Sequence, residues 1–394
     1  MNPFRNFIFY RFIVGSRENR IKRVLLFFFV VYGFCFVAAS VDSLLFIKGE
    51  PYGLIEDIAF FANIIMNFFL IIYTAQLPKL FVDTFKGTEE KFNYAEGIFN
   101  SISFNKKDYD EKSYENDFER YSNLIMAESK VSKVILVVLI VCGALANIIT
   151  EIGIYNGEIK SWAFQSDYTL TFIAQLITNF CQYWFIYPET IFLMVMTVFA
   201  LVRIVREFSK HNVIVLTPVV KDEKGGLTPI TQLCFHMVKI LFFPLLFIFS
   251  FMIQLGFMLP LFFGLFIYVL LMVLTFVLPL AYIHWSMEEY KEKELLNIER
   301  LYKICQVKYQ EIIRKKNDSV EEVIGLVREM VDINNLFILT KKLPDWPYDF
   351  KIFTRFFSII IIPIIVLFVQ LVTNADSILF NLEKLKIFKN ILGF

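Results

Sequence analysis

The sequence predicts an all-α, polytopic membrane fold with about seven transmembrane helices and a cytosolic helical hairpin, and three observations carry that expectation. Apolar residues make up 57% of the 394-residue chain and charged residues only 20%, against about 45–50% and about 25% in soluble domains. The apolar excess is gathered into blocks, and crossing about 30 Å of hydrocarbon takes roughly 20 such residues per helix. The basic residues, in turn, are concentrated in alternate connecting segments, as the retention of positive charge on the cytoplasmic side requires.

In chain order, residues 1–23 form a basic cytosolic N-terminus. The first two spans follow within 24–77, from Val24 to Phe46 and from Ile58 to Leu77. A basic stretch before an apolar run, with small residues at Val37-Ala38-Ala39-Ser40, has elements of a signal peptide; the run is too long for one and reads as a retained helix. Segment 78–133 mixes charges with aromatics such as Phe92, Tyr94, Phe118 and Tyr121, a composition suited to short helices packed under the membrane. The third and fourth spans, Val134 to Tyr155 and Thr169 to Val202, occupy 134–202. The loop 203–239 holds an extended stretch, Val213 to Val220, and a turn at Gly225-Gly226. Region 240–283 carries the fifth span, Ile240 to Met258, and the sixth, Leu261 to Ile283.

The sixth span runs on into the hairpin of 284–352, where Ile298, Leu301, Cys305 and Ile312 recur at helical steps. Asn317-Asp318-Ser319 makes the turn, Ser319 and Glu322 have capping-box spacing, and a second helix carries Val323, Val327, Met330 and Ile333. Pro344 and Pro347 stop it. The seventh span is 353–373, and 374–394 is an amphipathic external tail.

Orientation follows from the 39 Lys and Arg. Residues 1–23 hold 6, 78–133 hold 9, 203–239 hold 6 and 286–355 hold 13. A cytoplasmic N-terminus puts all four segments on the inner side and the C-terminus outside. The fourth block is 34 residues, about 51 Å as one helix. Splitting it at Pro188 would send two of the basic segments outward, so one tilted helix kinked near Pro188 is expected. Seven spans, an inner N-terminus, short outer loops and long inner helices resemble insect-type chemoreceptor channels in coarse topology. The likeness includes no shared motif, so it assigns no residue a role.

A net charge of +1 gives no electrostatic reason for a nucleic-acid partner. Cys35, Cys142, Cys181, Cys234 and Cys305 include no C-x-x-C pair, and His211, His236 and His284 lack ligand spacing, so neither a metal site nor a cofactor is expected. No nucleophile elbow or phosphate-binding motif argues for an enzyme.

Chemistry instead gathers on one face of the fourth span, where Thr171, Gln175, Thr178, Gln182 and Glu189 align and the two glutamines and Glu189 stand seven residues apart. An ionisable group at membrane depth costs about 2.5–3.5 kcal/mol on insertion scales, which favours a hydrated interior for Glu189. Asn63, Asn67, Asn147, Glu151 and Gln254 on other spans join these as candidate pore or cavity lining. The competing reading is interhelical hydrogen bonding, worth about 0.6 kcal/mol a contact. The functional expectation is a homo-oligomeric channel or pore-forming subunit of the cell membrane. It has an outward-facing polar vestibule, is cation-preferring if Glu189 lines it, and is joined through Leu301, Cys305 and Ile312. A secondary transporter and a non-conducting sensor signalling through residues 286–340 are the alternatives.

Overall fold

The computed structural model describes residues 5–14, 20–46, 53–86, 111–155, 169–211, 228–255, 259–315, 320–343, 354–361 and 365. Among them there are helices and turns and no strand. In order these are α1 (Ile8–Val14), α2 (Arg20–Val41), α3 (Ile58–Thr74), α4 (Leu77–Lys86), α5 (Glu111–Ile125), α6 (Lys130–Tyr155) and α7 (Thr169–Cys181). A π-helical turn (Gln182–Ile186) follows, then α8 (Tyr187–His211), α9 (Thr228–Leu255), α10 (Leu259–Lys315) and α11 (Val320–Lys341).

Five helical runs among the described residues are long and apolar enough to cross a membrane: Ile21–Val41, Ile58–Phe85, Glu115–Gly153, Thr169–Glu207 and Leu265–Arg314. They are compatible with an integral membrane protein. The expected fifth span, Ile240 to Met258, begins in α9 within the apolar stretch Pro229–Leu245, and its last residues lie outside the described residues. Most of the expected seventh lies outside the described residues, as do the Val213–Val220 stretch and the Gly225-Gly226 turn.

Local sequence explains the breaks. The Asp57 carboxylate accepts the Phe60 N–H at 2.9 Å and starts α3, as an N-cap acid does. Pro78 has no N–H for the Thr74 carbonyl, and the chain turns at Ala75 and Gln76 before α4.

The α7 to α8 run is the central pillar. Its most apolar window is 61% buried against 11% for that of α6, which lies at the periphery. Phe192, Leu193, Ala200, Leu201 and Val205 of α8 are fully buried, and α8 packs against α3, α4, α5, α6 and α10. Outward-facing Val134, Val137, Val138, Val141, Leu145 and Ile149 of α6 are the apolar exterior expected of a helix beside lipid, where no water penalises exposed hydrocarbon. Phe118 of α5 stacks on Phe81 of α4 with ring centroids 6.1 Å apart, which buries part of the aromatic content of the 78–133 segment.

Helix α10 runs 57 residues without interruption, about 86 Å at 1.5 Å per residue. It packs against α11, and Lys291 Nζ donates to the Leu343 carbonyl at 2.8 Å, so the end of α11 returns beside the middle of α10. The joining residues 316–319 lie outside the described residues. On α11, Val323, Leu326, Met330, Ile333 and Phe337 are half-buried and Thr340 buried, alternating in steps of three and four like a coiled-coil seam. The facing positions of α10 are 298, 305, 309 and 312, and Tyr302 between them is exposed. Ile298 and Cys305 are buried, the Cys305 thiol meeting Glu329 of α11, and Ile312 is half-buried. Leu301 falls one position off that seam and is exposed, as are Ile304, Val307, Ile324, Val327 and Val331.

Candidate functional site

The polar face expected on the fourth span lies on the pillar, and nearly every member meets another helix. At its start, the Asp42 carboxylate just after α2 accepts from both the Thr171 backbone N–H, at 2.8 Å, and the Thr171 hydroxyl. An acid at a helix N-terminus satisfies orphan amides and complements the dipole. One turn down, Gln175 Nε2 donates to Asn179 Oδ1 at 3.1 Å and Asn179 Nδ2 donates to Glu151 Oε1 of α6 at 2.6 Å. Thr178 donates to the Ala174 carbonyl at 2.9 Å and lies 3.2 Å from the Cys35 sulfur of α2.

Gln182 belongs to a closed ring at the bundle centre. Gln182 Nε2 donates to the Tyr32 hydroxyl at 3.0 Å, Asn67 Nδ2 donates to the same hydroxyl at 3.1 Å, and Asn67 Nδ2 also reaches Asn63 Oδ1 at 2.7 Å. Asn63 Nδ2 returns to Gln182 Oε1 at 3.2 Å, and the Tyr187 hydroxyl donates to both Asn63 Oδ1 and Gln182 Oε1. The structure therefore brings Asn63, Asn67 and Gln182 together, with two tyrosines that the sequence reading passed over. Tyrosines inside otherwise apolar spans, facing an amide-bearing helix, were the available signal.

The pillar changes geometry between Gln182 and Glu189. Pro188 carries no N–H, and the Tyr187 N–H bonds the Gln182 carbonyl, five residues back, in place of the Tyr183 carbonyl four back. One π turn results, the form in which helices absorb an extra residue. With the next amide missing at Pro188, the Tyr183 carbonyl is left without its usual helical donors. It points at Gly143 of α6: a Cβ added there would collide with the Tyr183 oxygen and come within 2.9 Å of Pro188 Cγ. The expected kink is thus a continuous helix with a π turn, and Gly143 is the residue that admits it.

Glu189 is 1% exposed and does not stand open toward Gln182. Its Oε1 accepts the Phe9 N–H at 3.0 Å and its Oε2 the Tyr10 N–H at 3.1 Å. It caps α1 from 180 residues away, a carboxylate matched to the positive end of a short helix. Around it the Tyr10 hydroxyl lies 3.0 Å from the Thr190 hydroxyl, Phe7 packs on Phe192 at 5.6 Å between ring centroids, and Asn6 Nδ2 donates to the Met126 carbonyl. The expectation that Glu189 looks into a cavity is replaced here by a docking role, which periodicity within one span cannot reveal.

Asn147 is buried on α6, while the Gln254 side chain lies outside the described residues. Among the described residues no group of three His, Cys, Asp or Glu is placed to hold a metal ion. Amides, hydroxyls and three carboxylates, those of Asp42, Glu151 and Glu189, thus form a polar seam along the pillar, from Thr171 near one end of the apolar run to Glu189 past its middle. The class so defined is a helical protein, its long apolar helices compatible with an integral membrane protein, with a polar seam in its interior. Comparison with known protein families, curated proteins and solved structures finds no match to the chain.

Proposed function

We propose that the protein is a pore-forming subunit of an oligomeric membrane channel, with the seam on α7 and its π turn as the hydrophilic element. The observation that supports this is continuity. Thr171, Gln175, Asn179, Gln182 and Thr190 follow one another along a single pillar, all but Gln175 bonded to another segment and Gln175 bonded to Asn179, and a conduit needs polar lining more than titrating groups. Glu151 rather than Glu189 is the acidic group that favours cations, because Glu189 is engaged by α1. The pore is oriented with the N-terminus inside and the C-terminus outside. Purified full-length protein in liposomes should pass monovalent cations, and Gln182→Leu should reduce that flux at least tenfold; wild-type vesicles as tight as empty ones would remove the proposal.

Orientation is tested separately. In intact cells, a cysteine placed at Lys316 of a cysteine-free variant should resist impermeant thiol reagents and react after permeabilisation. Labelling from outside would invert the topology.

Subunits associate through the outer faces of α10 and α11, where Leu301, Ile304, Val327 and Val331 are exposed on a hairpin that extends beyond the apolar part of α10. Exposed apolar stripes outside lipid favour burial against a partner, and the reading commits to a second copy of this chain. The double variant Leu301→Asp, Val331→Asp should run as a smaller particle on light-scattering size analysis; an unchanged mass would refute the contact.

A sensor reading has one observation in its favour, the unbroken passage of α10 from apolar to charged sequence. Ligand-dependent changes in hydrogen exchange within 288–341, without flux, would select it.

A further inference from the structure

Helix α6 presents one narrow polar face to the pillar, built at four-residue steps by Gly143, Asn147 and Glu151. Gly143 meets the Tyr183 carbonyl and Glu151 meets Asn179, so Asn147, one turn from each, projects into the seam between them. This seam is rich in oxygen acceptors and poor in donors. Glu151 Oε2, Gln175 Oε1 and Asn147 Oδ1 are buried atoms without a hydrogen-bond partner, and Asn147 is 9% exposed.

The amide orientations are not arbitrary. An ionised carboxylate only accepts, so Asn179 must turn its NH2 to Glu151; its oxygen then faces Gln175, which must turn its own NH2 to Asn179. The chain Glu151, Asn179, Gln175 therefore ends on an acceptor oxygen whichever way the amides are first drawn. The Tyr183 carbonyl, released by the π turn, faces Gly143 two turns along α6 from Glu151 and stands outside this group.

We propose that the seam between α6 and the α7 to α8 pillar binds a compact monovalent cation, an alkali-metal ion or a primary ammonium group. Glu151 supplies the counter-charge, and Asn147 and Gln175 supply oxygen donors. All-oxygen surroundings select a hard cation, and a single carboxylate matches one positive charge; a calcium ion takes six to eight oxygens, usually with more than one acid. Binding here does not depend on conduction through the seam. The ammonium has two sources, a free amine or the headgroup of an ethanolamine phospholipid, since Glu151 lies one turn from the end of α6.

The test uses full-length protein in nanodiscs, first of phosphatidylglycerol, which has no amine. Unfolding midpoints are followed while sodium, potassium or methylammonium chloride replaces N-methylglucamine chloride at constant ionic strength. At least one small cation should raise the midpoint saturably. Glu151→Gln should abolish that rise, Gln175→Ala and Asn147→Ala should each raise the half-saturating concentration at least tenfold, and Glu115→Gln on α5 should change nothing. With ethanolamine phospholipid in the disc, a lipid source predicts a midpoint already raised, insensitive to added cation and reduced by Glu151→Gln; a free-cation source predicts the same titration as before. Should Glu151→Gln fail to fold, the Gln175→Ala titration decides alone. Wild type and the seam variants responding identically to every cation and lipid would overturn the site.

Discussion

Replacing Gly143 by alanine should lower stability by about 2–3 kcal/mol, the upper range for overpacking a filled interface. The added Cβ meets the Tyr183 carbonyl and Pro188 Cγ, one a backbone atom and the other a rigid ring, and neither has a rotamer to yield. Relief requires α6 to move away from the pillar or the π turn to close, and Pro188 blocks the second route. The controls are sharp, because a Cβ at Gly33 or Gly325 meets nothing within 4 Å. Alanine at those positions should be neutral or stabilising by up to about 1 kcal/mol through helix propensity. Apparent melting midpoints in one detergent compare the three variants; a Gly143→Ala midpoint equal to that of Gly33→Ala would show that α6 is not pinned at the π turn.

Glu189→Leu should release α1 from the bundle. The substitution strands the Phe9 and Tyr10 N–H groups, each bonded now to a carboxylate oxygen, and a buried unsatisfied donor costs about 1–3 kcal/mol. Since α1 is a seven-residue helix, far below the length at which helices persist alone in water, it is held by these bonds together with the packing of Phe7, Phe9 and Tyr10 and the Asn6 bond to Met126. Hydrogen exchange over residues 5–14 should accelerate at least tenfold, and Glu189→Gln, which keeps one acceptor oxygen, should show a smaller effect. Unaltered exchange in Glu189→Leu would separate Glu189 from α1 docking. Should flux also be measurable, a docking role predicts that Glu189→Gln alters it no more than it alters exchange, whereas a lining role predicts altered flux with exchange unchanged.

What was legible in the sequence was whatever repeats within one element. Twenty-residue apolar blocks gave the helical membrane class, and the seven-residue spacing of Gln175, Gln182 and Glu189 marked the pillar's polar face. Partnerships between elements were not legible. Glu189 finds Phe9 and Tyr10 at a separation no periodicity measures, and Gly143 reads as one more small residue in an apolar helix until the π turn is placed against it. Leu301 shows the same limit at smaller scale: it shares helical spacing with Ile298 and Cys305, yet the phase of the α11 seam leaves it outside. The tyrosines of the central ring were hidden by composition, since Tyr32 and Tyr187 are two of many aromatics in a chain with 47 Phe and 18 Tyr.

Because α10 is one uninterrupted helix, about 40 Å of it extends past the last apolar residues as a stiff arm. A tilt of about 5° where the arm leaves its apolar portion would swing the far tip by ~4 Å, less than the 5.4 Å rise of one helical turn. A small rotation at one end is thereby magnified into a displacement at the other, with no hinge needed anywhere along the way.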